Sequence, residues 1–490
     1  MTPSATVLAL VALAGGAGCV LTTTPQEECR SNLECRDAFG LGMVCNGEGL
    51  CEPAEIDERC TETYPDDLLT AARRLDYKDR IVIGSIIRRD FEIFEKFERS
   101  AELAFIEANS RQGIDNRNFG VIFCNSDGSF ADGLEGGPEA AEAMATYLAD
   151  VMSVPAIFGP STSSEAEAVF AAVRDKGVLV VSPSATSPSL VRLDPDSASD
   201  DSPGMFWRTA TSDAFQGGAM VDDMRQPRAG RETIVDSVAI IYVDDAYGSG
   251  LFDTIANLFQ AAGGTVKGFP FVLENSGRPG QLLGEAVGNA SGAGGSFQEV
   301  VFASSDPDDY IRFLNAIKDI RAFDGKGILL PAEAVNAKVL AEADSSRFAQ
   351  VRGTRPKPLD PTRDLVYQRF LTSYQVAYNE DVSDDSFTAN AHDAGWFLAF
   401  GAAWALLREG ELTGANMARG LRKLSAGTPA EVGSNGWTTV LQQFAEGRPV
   451  NIVGASGALD FDETTEETST PIEVWSITPG KQIQPLYTWP

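Results

Sequence analysis

The sequence predicts an α/β protein with two lobes, each a doubly wound parallel sheet, joined by crossover strands and preceded by a small disulfide-rich segment. Three observations predict this fold. The 490 residues suffice for two or three domains, short β-branched runs alternate with helical patterns from Arg80 onward, and the alternation restarts at Ser237. With 43% hydrophobic and 22% charged residues, the composition is that of a globular protein.

The chain begins with an apolar stretch from Thr6 to Val20 that is too short to cross a membrane. It ends in Gly16-Ala17-Gly18-Cys19, which resembles the lipobox at which bacterial lipoproteins are cleaved and acylated. We therefore expect residues 1–18 to be a signal peptide and Cys19 to carry the lipid. Gly16 in place of the usual leucine, and a preceding segment without Lys or Arg, depart from that pattern. An ordinary secretory signal is the alternative.

Six further cysteines agree with export to an oxidising compartment: Cys29, Cys35, Cys45, Cys51, Cys60 and Cys124. The first four lie in a stretch too short to bury a core, so we expect two disulfides there, with their pairing left open. By elimination, Cys60 and Cys124 form the third bridge and join this segment to the main body. A zinc site is disfavoured because no C-x2-C pair occurs and the only histidine, His392, is distant in sequence. We predict no metal and no cofactor.

The first lobe is predicted from the pattern that begins at Arg80. Ile81-Val82-Ile83-Gly84 is a short apolar run, and the apolar positions between Phe94 and Ala108 recur at helical spacing. Further strands are predicted over residues 120–123, 154–158 and 177–181, with helices over 140–152 and 165–174. This alternation is typical of parallel strands with helices on both faces of the sheet.

The second lobe is predicted from the same alternation after residue 237. Strands are expected over residues 237–243, 266–272, 299–303 and 327–330, with helices over 251–262 and 310–320. Ligands bind beyond the carboxyl ends of parallel strands, at switch points or between lobes. The loops after Phe158, Val181, Ala303 and Leu330 are therefore the expected site.

Several function classes are disfavoured by the sequence. A formal net charge of −31 argues against nucleic acid and anionic membranes as partners. The Gly/Ser run over residues 288–296 lacks the lysine of a phosphate-binding loop, and the acidic stretch 194–202 lacks the spacing of a calcium loop. No G-x-S-x-G or H-E-x-x-H motif occurs, and His392 lies in a helical pattern that indicates packing. We therefore predict that the chain is not an enzyme.

Five segments carry a family resemblance. They are GPSTSS at residues 159–164, SPSATSP at 182–188, FWRTATSDAFQG at 206–217, DDAYGSG at 244–250 and VGASGALDFD at 453–462. In this order they resemble the leucine/isoleucine/valine-binding protein family, the type I periplasmic binding proteins that serve ABC importers. The resemblance runs from Arg80 to the end of the chain.

The resemblance implies the type I periplasmic binding protein fold. The first lobe would comprise residues 80–209 and 357–452, the second 210–356 and 453–490, and residues 19–79 would form a lipid-anchored, Cys-rich tether. It also implies a protein at the periplasmic face of a bacterial membrane, touching that membrane only through its anchor. The lobes would close over an amino acid or related carboxylate for delivery to an ABC permease. A ligand sensor or interaction lipoprotein of the same fold is the alternative.

The resemblance also implies ligand-binding residues on the first lobe. Ser163 falls on the family's ligand-binding serine, and Ser184, Ala185 and Thr186 fall on its second contact loop. Short hydroxyl side chains and backbone N–H groups at helix starts suit a carboxylate. The alternative is that Ser163 and Thr186 only cap the helices that follow them.

On the second lobe, Asp306 and Glu333 lie on the two loops where the family places an acceptor for the ligand's ammonium group. Tyr247 is expected to close over the ligand. The alternatives are that both acids are ordinary surface groups and that Tyr247 packs against the hinge.

One segment departs from the family. Ile87-Arg88-Arg89-Asp90 stands where many members have a small Pro/Ser/Gly loop. Two guanidinium groups there would select an acidic ligand through bidentate contacts, or they would point to solvent or pair with nearby acids. We favour the second alternative. In either case, the site need not recognise branched aliphatic amino acids.

Overall fold

The computed structural model describes residues 28–490 except 195–197, 228–231, 274–278, 293–295, 358, 361 and 384. The predicted signal peptide and Cys19 therefore lie outside the described residues. Among the helices described, none combines the length and the apolar character needed to span a membrane.

A small segment closed by disulfides comes first. It contains α1 (Asn32–Phe39) and a hairpin of β1 (Met43–Cys45) and β2 (Cys51–Pro53). Disulfides join Cys29 to Cys45 and Cys35 to Cys51, as predicted in number. The sulfur atoms of Cys29, Cys35 and Cys45 lie within 4.8 Å of one another, but each is already in a disulfide, so the zinc alternative fails.

The next residues belong to the first lobe. The disulfide Cys60–Cys124 confirms the predicted third bridge. Beside it, β3 (Glu62–Tyr64) pairs antiparallel with residues 121–123 of the main sheet. Leu68 is fully buried in the core that this sheet covers. The first lobe therefore begins before the predicted boundary at Arg80.

The first lobe is a six-stranded sheet with helices on both faces. After β3 come β4 (Ile81–Ile87), α2 (Glu92–Asn109), β5 (Phe119–Asn125), α3 (Pro138–Asp150), β6 (Ala156–Phe158), α4 (Ser163–Val173), β7 (Leu179–Ser182) and β8 (Phe206–Arg208). The strand order is β3-β5-β4-β6-β7-β8, parallel except at β3. All seven residues of β4 are buried, because helices cover both faces of the strand.

After β8 the chain crosses to the second lobe. Its elements are α5 (Asp213–Arg225), β9 (Ser237–Val243), α6 (Ala246–Ala261), β10 (Thr265–Phe271), α7 (Leu283–Gly292), β11 (Glu299–Ala303), α8 (Pro307–Ile317), β12 (Gly327–Leu330), α9 (Ala337–Glu342) and β13 (Val351–Pro356). β9 to β13 form parallel pairs, and their apolar residues make a second, separate core.

The chain then returns to the first lobe. The returning elements are α10 (Leu365–Tyr378), α11 (Thr388–Trp404), α12 (Gly414–Leu421), β14 (Thr428–Glu431), α13 (Ser434–Ala445), β15 (Val450–Gly454) and β16 (Gly457–Ala458). Ala455, Leu459 and Phe461 are still buried in the first lobe's core. The second return therefore follows Phe461, later than the predicted boundary at residue 453.

The last two strands complete the second lobe. β17 (Ile472–Ile477) pairs antiparallel with β13, and β18 (Ile483–Trp489) pairs with β17. The sheet order is β10-β9-β11-β12-β13-β17-β18. The predicted α/β fold with two parallel-sheet lobes is confirmed.

The only histidine is part of the first lobe's helical packing. His392 is 2% exposed in α11, and its Nε2 lies 3.3 Å from Oε2 of Glu107 on α2. Burial alone would lower the pKa of His392, but the nearby carboxylates of Asp393, 3.7 Å from Nδ1, and of Glu107 raise it to about 9. The imidazole therefore serves as a buried cation between two helices.

Candidate ligand-binding site

The two first-lobe loops predicted to bind ligand are tied to each other. Ser163 Oγ accepts a hydrogen bond from Ser187 N at 3.1 Å, and Ser184 Oγ donates to Ser161 O at 2.8 Å. The first loop is tight: Gly159 has φ +93°, and a Cβ there would lie 2.4 Å from the carbonyl oxygen of Ile86. Only glycine fits that position without strain.

Neither Ser163 nor Thr186 acts as a helix cap. Thr162 caps α4 by accepting from Glu165 N, and Ser187 caps the short turn that starts at Pro188. The capping alternative for Ser163 and Thr186 is therefore wrong. The hydroxyl of Ser163 accepts one hydrogen bond and keeps its own proton for a further acceptor.

The second contact loop is joined to the crossover between the lobes. Asp213 N donates to the carbonyl oxygen of Thr186 at 2.8 Å, and Arg208 Nη1 donates to that of Ala185 at 3.1 Å. The N–H of Ala185 is bonded to Ser182 Oγ at 3.1 Å. Ala185 therefore supports the loop through both of its backbone polar groups.

The second lobe contributes a tyrosine–carboxyl pair. Tyr247, at the start of α6, is 4% exposed, and its hydroxyl donates to Glu333 Oε2 at 2.5 Å. Glu333 follows β12, one of the strand ends at which the sequence predicted a site. Tyr247 is therefore hydrogen-bonded to Glu333, the residue predicted to accept an ammonium group.

Asp306 occupies the other predicted second-lobe position. It caps α8 by accepting a hydrogen bond from Asp308 N at 2.8 Å. Ser305, beside it, donates to Asp245 at the start of α6 at 3.4 Å. The carboxyl of Asp306 is therefore ordered by the backbone and lies on the loop next to α6.

Asp213, which was not among the residues predicted from sequence, links the crossover to the Glu333 loop. Gln216 Nε2 donates to Asp213 Oδ1 at 2.7 Å, and Ala332 N donates to Gln216 Oε1 at 3.1 Å. Asp213 is 2% exposed, and its second oxygen, Oδ2, has no hydrogen-bond partner among the described residues. The sequence signal was a lone acid in the hydroxyl-rich segment TATSD.

Two buried hydroxyls likewise have no hydrogen-bond partner among the described residues. Ser161 Oγ, in the first contact loop, and Thr211 Oγ1, in the crossover, are buried and lack partners within the described part of the chain. Buried polar atoms in native proteins are nearly always hydrogen-bonded to protein, water or ligand. Three such atoms on adjoining loops have hydrogen-bonding capacity that a water or a bound molecule would fill.

The carboxyl groups of the site resist ionisation. Burial raises the pKa of Glu333 to about 8, and the nearby charge of Asp213 adds to the effect. Burial likewise raises the pKa of Asp213 to about 6 and raises the pKa of Asp306 above its ordinary value. The phenol of Tyr247 is held protonated, since burial and the Glu333 charge raise its pKa well above the usual value.

The two arginines at the cleft mouth pair with nearby acids. Arg88 makes a bidentate contact with Asp90 and lies over the ring of Phe91 at 5.3 Å. Arg89 pairs with Glu98 at 2.8 Å and with Glu62 of β3 at 2.6 Å. These pairs match the alternative that the sequence analysis favoured.

The lobes touch directly across the site. Ala246 N, at the start of α6, donates to Ser164 Oγ of α4 at 3.2 Å, and Ser187 Oγ donates to Ala246 O at 2.7 Å. The first-lobe contact loops and the start of the second-lobe helix α6 therefore meet directly. We call the region between them, to which the crossover residue Asp213 is joined through Thr186, the interlobe enclosure.

This architecture and site define a two-lobed binding protein, and comparison with known proteins places the chain in a family. A family model described as periplasmic binding protein matches residues 92–482, so the chain belongs to that family. It is of type I, as the sequence resemblance implied.

Solved structures share the fold at low sequence identity. The leucine-binding protein LivK of Thermotoga maritima is 16% identical, with a TM-score of 0.61 over 84% of this chain and 98% of that one. LivJ of Streptococcus pneumoniae, solved with isoleucine, is 18% identical, with a TM-score of 0.59 over 84% and 99%. A solute-binding protein of R. palustris, solved with benzoate, is 15% identical, with a TM-score of 0.59 over 84% and 96%.

A curated relative is similar over a shorter stretch. The chemotactic signal transduction system substrate-binding protein BasB of Halobacterium salinarum is 30% identical over 168 residues. The match spans 34% of this chain and about a third of that protein, 36% of its length.

Proposed function

We propose that the protein binds a small extracytoplasmic metabolite, an amino acid or a related carboxylate, between its lobes and delivers it to an ABC importer. The observation that carries this proposal is the set of three buried, unpartnered polar atoms, Ser161 Oγ, Thr211 Oγ1 and Asp213 Oδ2, on loops that border the interlobe enclosure. A ligand with hydrogen-bonding groups would satisfy these atoms, and lobe closure would exclude water from them.

Each lobe has its own part in the proposed binding. On the first lobe, the protons of the Ser161 and Ser163 hydroxyls would be donated to a ligand carboxylate, while Ser184, Ala185 and Thr186 shape the loop. On the second lobe, Glu333, held by Tyr247, would accept an ammonium group. This division of roles between the lobes follows from the hydrogen bonds that the protein already makes, because only the remaining polar groups can bind a ligand.

The cellular setting is part of the same proposal. Three disulfides fit an oxidising compartment. With Cys19 acylated, only residues 20–27 would separate the anchor from the disulfide-closed segment, so the protein would stay close to the membrane without crossing it. We propose binding rather than catalysis, because the relatives named above are described as binding proteins and the site's acids are held by neutral hydrogen-bond donors.

The proposal is tested by a thermal-shift screen of the full chain, unfolded and refolded without reductant to remove carried-over ligand. Amino acids and aromatic carboxylates form the library. A ligand at 100 times its Kd stabilises the native state by about 2.7 kcal/mol, which is readily detected. We expect a hit that is weakened in Ser161→Ala and Thr211→Val but unchanged in Ser110→Ala, an exposed serine on the far end of α2. No shift with any compound, in protein shown to be folded, would refute binding.

A second candidate function is ligand sensing, and the similarity to BasB favours it. In that case occupancy would be reported to a signalling partner through lobe closure rather than used for import. Uptake of labelled ligand distinguishes the two. Loss of uptake on deletion of the gene supports import, whereas normal uptake with a lost behavioural response supports sensing.

A further inference from the structure

We propose that the ligand is a cation, an amine carrying more ammonium or guanidinium groups than carboxylates, the class of basic amino acids and diamines. The inference rests on the proposed binding function and specifies the ligand class of that site. The charged side chains around the enclosure divide into those that are paired within the protein and those that are not.

The positive charges around the enclosure are occupied. Arg88 is held bidentately by Asp90, and its guanidinium also lies within the electrostatic reach of Glu165 and Asp306. Arg208, 1% exposed, makes two hydrogen bonds of 2.8 Å to Glu467 and donates its remaining bonds to the backbone of residues 185 and 187. Among the described residues, neither arginine has an unpaired charge for an anionic ligand.

The negative charges are not occupied in the same way. Glu333 is bonded to the neutral Tyr247, Asp213 to the neutral Gln216, and Asp306 to a backbone N–H. Neutral donors satisfy hydrogen bonding but do not neutralise a carboxylate. Arg208 acts on Asp213, and Arg88 and Arg312 act on Asp306, only at longer range and without forming an ion pair within the described part of the chain. Oδ2 of the deeply buried Asp213 makes no hydrogen bond within the described part of the chain, and the Thr186 hydroxyl, the other donor near this carboxyl, is also neutral. Burial raises the pKa of all three carboxyls, and the arginine charges that act on Asp213 and Asp306 do not offset it.

This balance decides between ligand classes. A ligand with one ammonium and one carboxylate would pair with one carboxyl group and leave the other two without a bonded cation. An acidic ligand would add a further negative charge to the enclosure, so the hypothesis that Arg88 and Arg89 select an acidic ligand is disfavoured. A second ammonium or a guanidinium group would pair with Asp213 or Asp306, and each such bond would be charge-assisted.

The test uses pairs of probes that differ in one charge. The full refolded chain is titrated by calorimetry with L-lysine and L-norleucine, L-arginine and L-citrulline, 1,5-diaminopentane, and L-glutamate. We expect at least one cation to bind at least tenfold more tightly than its neutral counterpart. Asp213→Asn should weaken that binding at least tenfold. Asp319→Asn, the same substitution at an exposed second-lobe site, should leave it unchanged.

A structural role for Asp213 is separated by a second readout. If the carboxyl served only to stabilise the fold, Asp213→Asn would lower the melting temperature of the empty protein. The uncompensated buried charge predicts the reverse, an unchanged or higher melting temperature together with weaker binding of the cation. A lower melting temperature with unchanged affinity would overturn the assignment.

The remaining outcomes separate this inference from the proposed function. Binding of norleucine, citrulline or glutamate as tight as, or tighter than, binding of the cations would overturn the ligand class and leave the binding function intact. Binding of none of the probes, followed by no thermal shift with the wider library, would overturn the binding function and this inference together.

Discussion

Glu333→Gln is expected to stabilise the empty protein at neutral and alkaline pH while abolishing tight binding. Glu333 is held by Tyr247, and the other titratable groups that act on it electrostatically are Asp213 and Tyr310. All of these are acids or phenols, so nothing among them compensates the carboxylate. The Gln side chain has nearly the same shape and still accepts the hydrogen bond from Tyr247, but it carries no charge.

The magnitude follows from the pKa. In the unfolded chain Glu333 titrates near 4.5, whereas burial raises its pKa in the folded protein to about 8. Between these values the native state binds more protons than the unfolded state, so the free energy of unfolding falls as pH rises from 4.5 to 8 and is level outside that window. At about 1.4 kcal/mol for each pH unit, and with a reduction for the partial exposure of the residue, the loss is roughly 2–4 kcal/mol.

The measurement is urea unfolding of wild type and Glu333→Gln at several pH values between 4.5 and 9, without ligand. We expect the two proteins to differ least at pH 4.5, and the variant to be more stable by the full amount at pH 8 and above. Asp213→Asn is the control, because removal of its charge should lower the pKa of Glu333, so that the loss of stability ends at a lower pH and is smaller. A difference between wild type and Glu333→Gln that does not change with pH would refute the reasoning.

Three further predictions concern the framework of the site. Arg59→Ala removes a fully buried guanidinium that donates to the backbone carbonyls of residues 125 and 127, so we expect a loss of about 3–5 kcal/mol in urea unfolding. Arg30→Ala is its exposed control. A loss below about 1 kcal/mol in the Arg59→Ala protein would contradict the prediction. Gly159→Ala should lower the melting temperature and weaken ligand binding, because the new Cβ meets the backbone at 2.4 Å. Gly177→Ala, where a Cβ meets nothing within 4 Å, should change stability by only about 1 kcal/mol and leave affinity unchanged; equal effects at both glycines would count against the close approach. Cys60→Ser with Cys124→Ser should lower stability by about 2–4 kcal/mol, and an unchanged melting temperature would show that β3 holds its place without the bridge.

The lobes could be predicted from sequence because their strands are buried on both faces. A strand such as β4 has seven buried residues, and a run of that kind is recognisable without any knowledge of its neighbours. β3 could not be found in this way. It has three residues, only one of them fully buried, and it is a strand because β5 offers an edge and a disulfide fixes the adjacent residue.

The site could be predicted to the level of loops but not of atoms. Strand ends indicate where a ligand binds. Hydrogen bonds join the loops after β6 and β7 to each other and to the start of α6, and the loop after β11 to Asp245. Which hydroxyl remains available depends on contacts between loops that are far apart in sequence. Ser184 is engaged by Ser161 O, while Ser161 Oγ itself stays without a partner among the described residues. A row of serines gives no indication of that difference.

Charge balance was the least predictable property of the site. In the sequence Arg88 and Arg89 are two cations at the mouth of a cleft, and Asp213 is an acid in the first turn of a helix, where acids are common. In the structure Asp90 and Glu98 neutralise the arginines, whereas no cation is bonded to Asp213 among the described residues. The charge that a ligand meets is what remains after the protein's own pairs have formed. The sequence therefore allowed an acidic ligand, and the pairing of these side chains favours a cationic one.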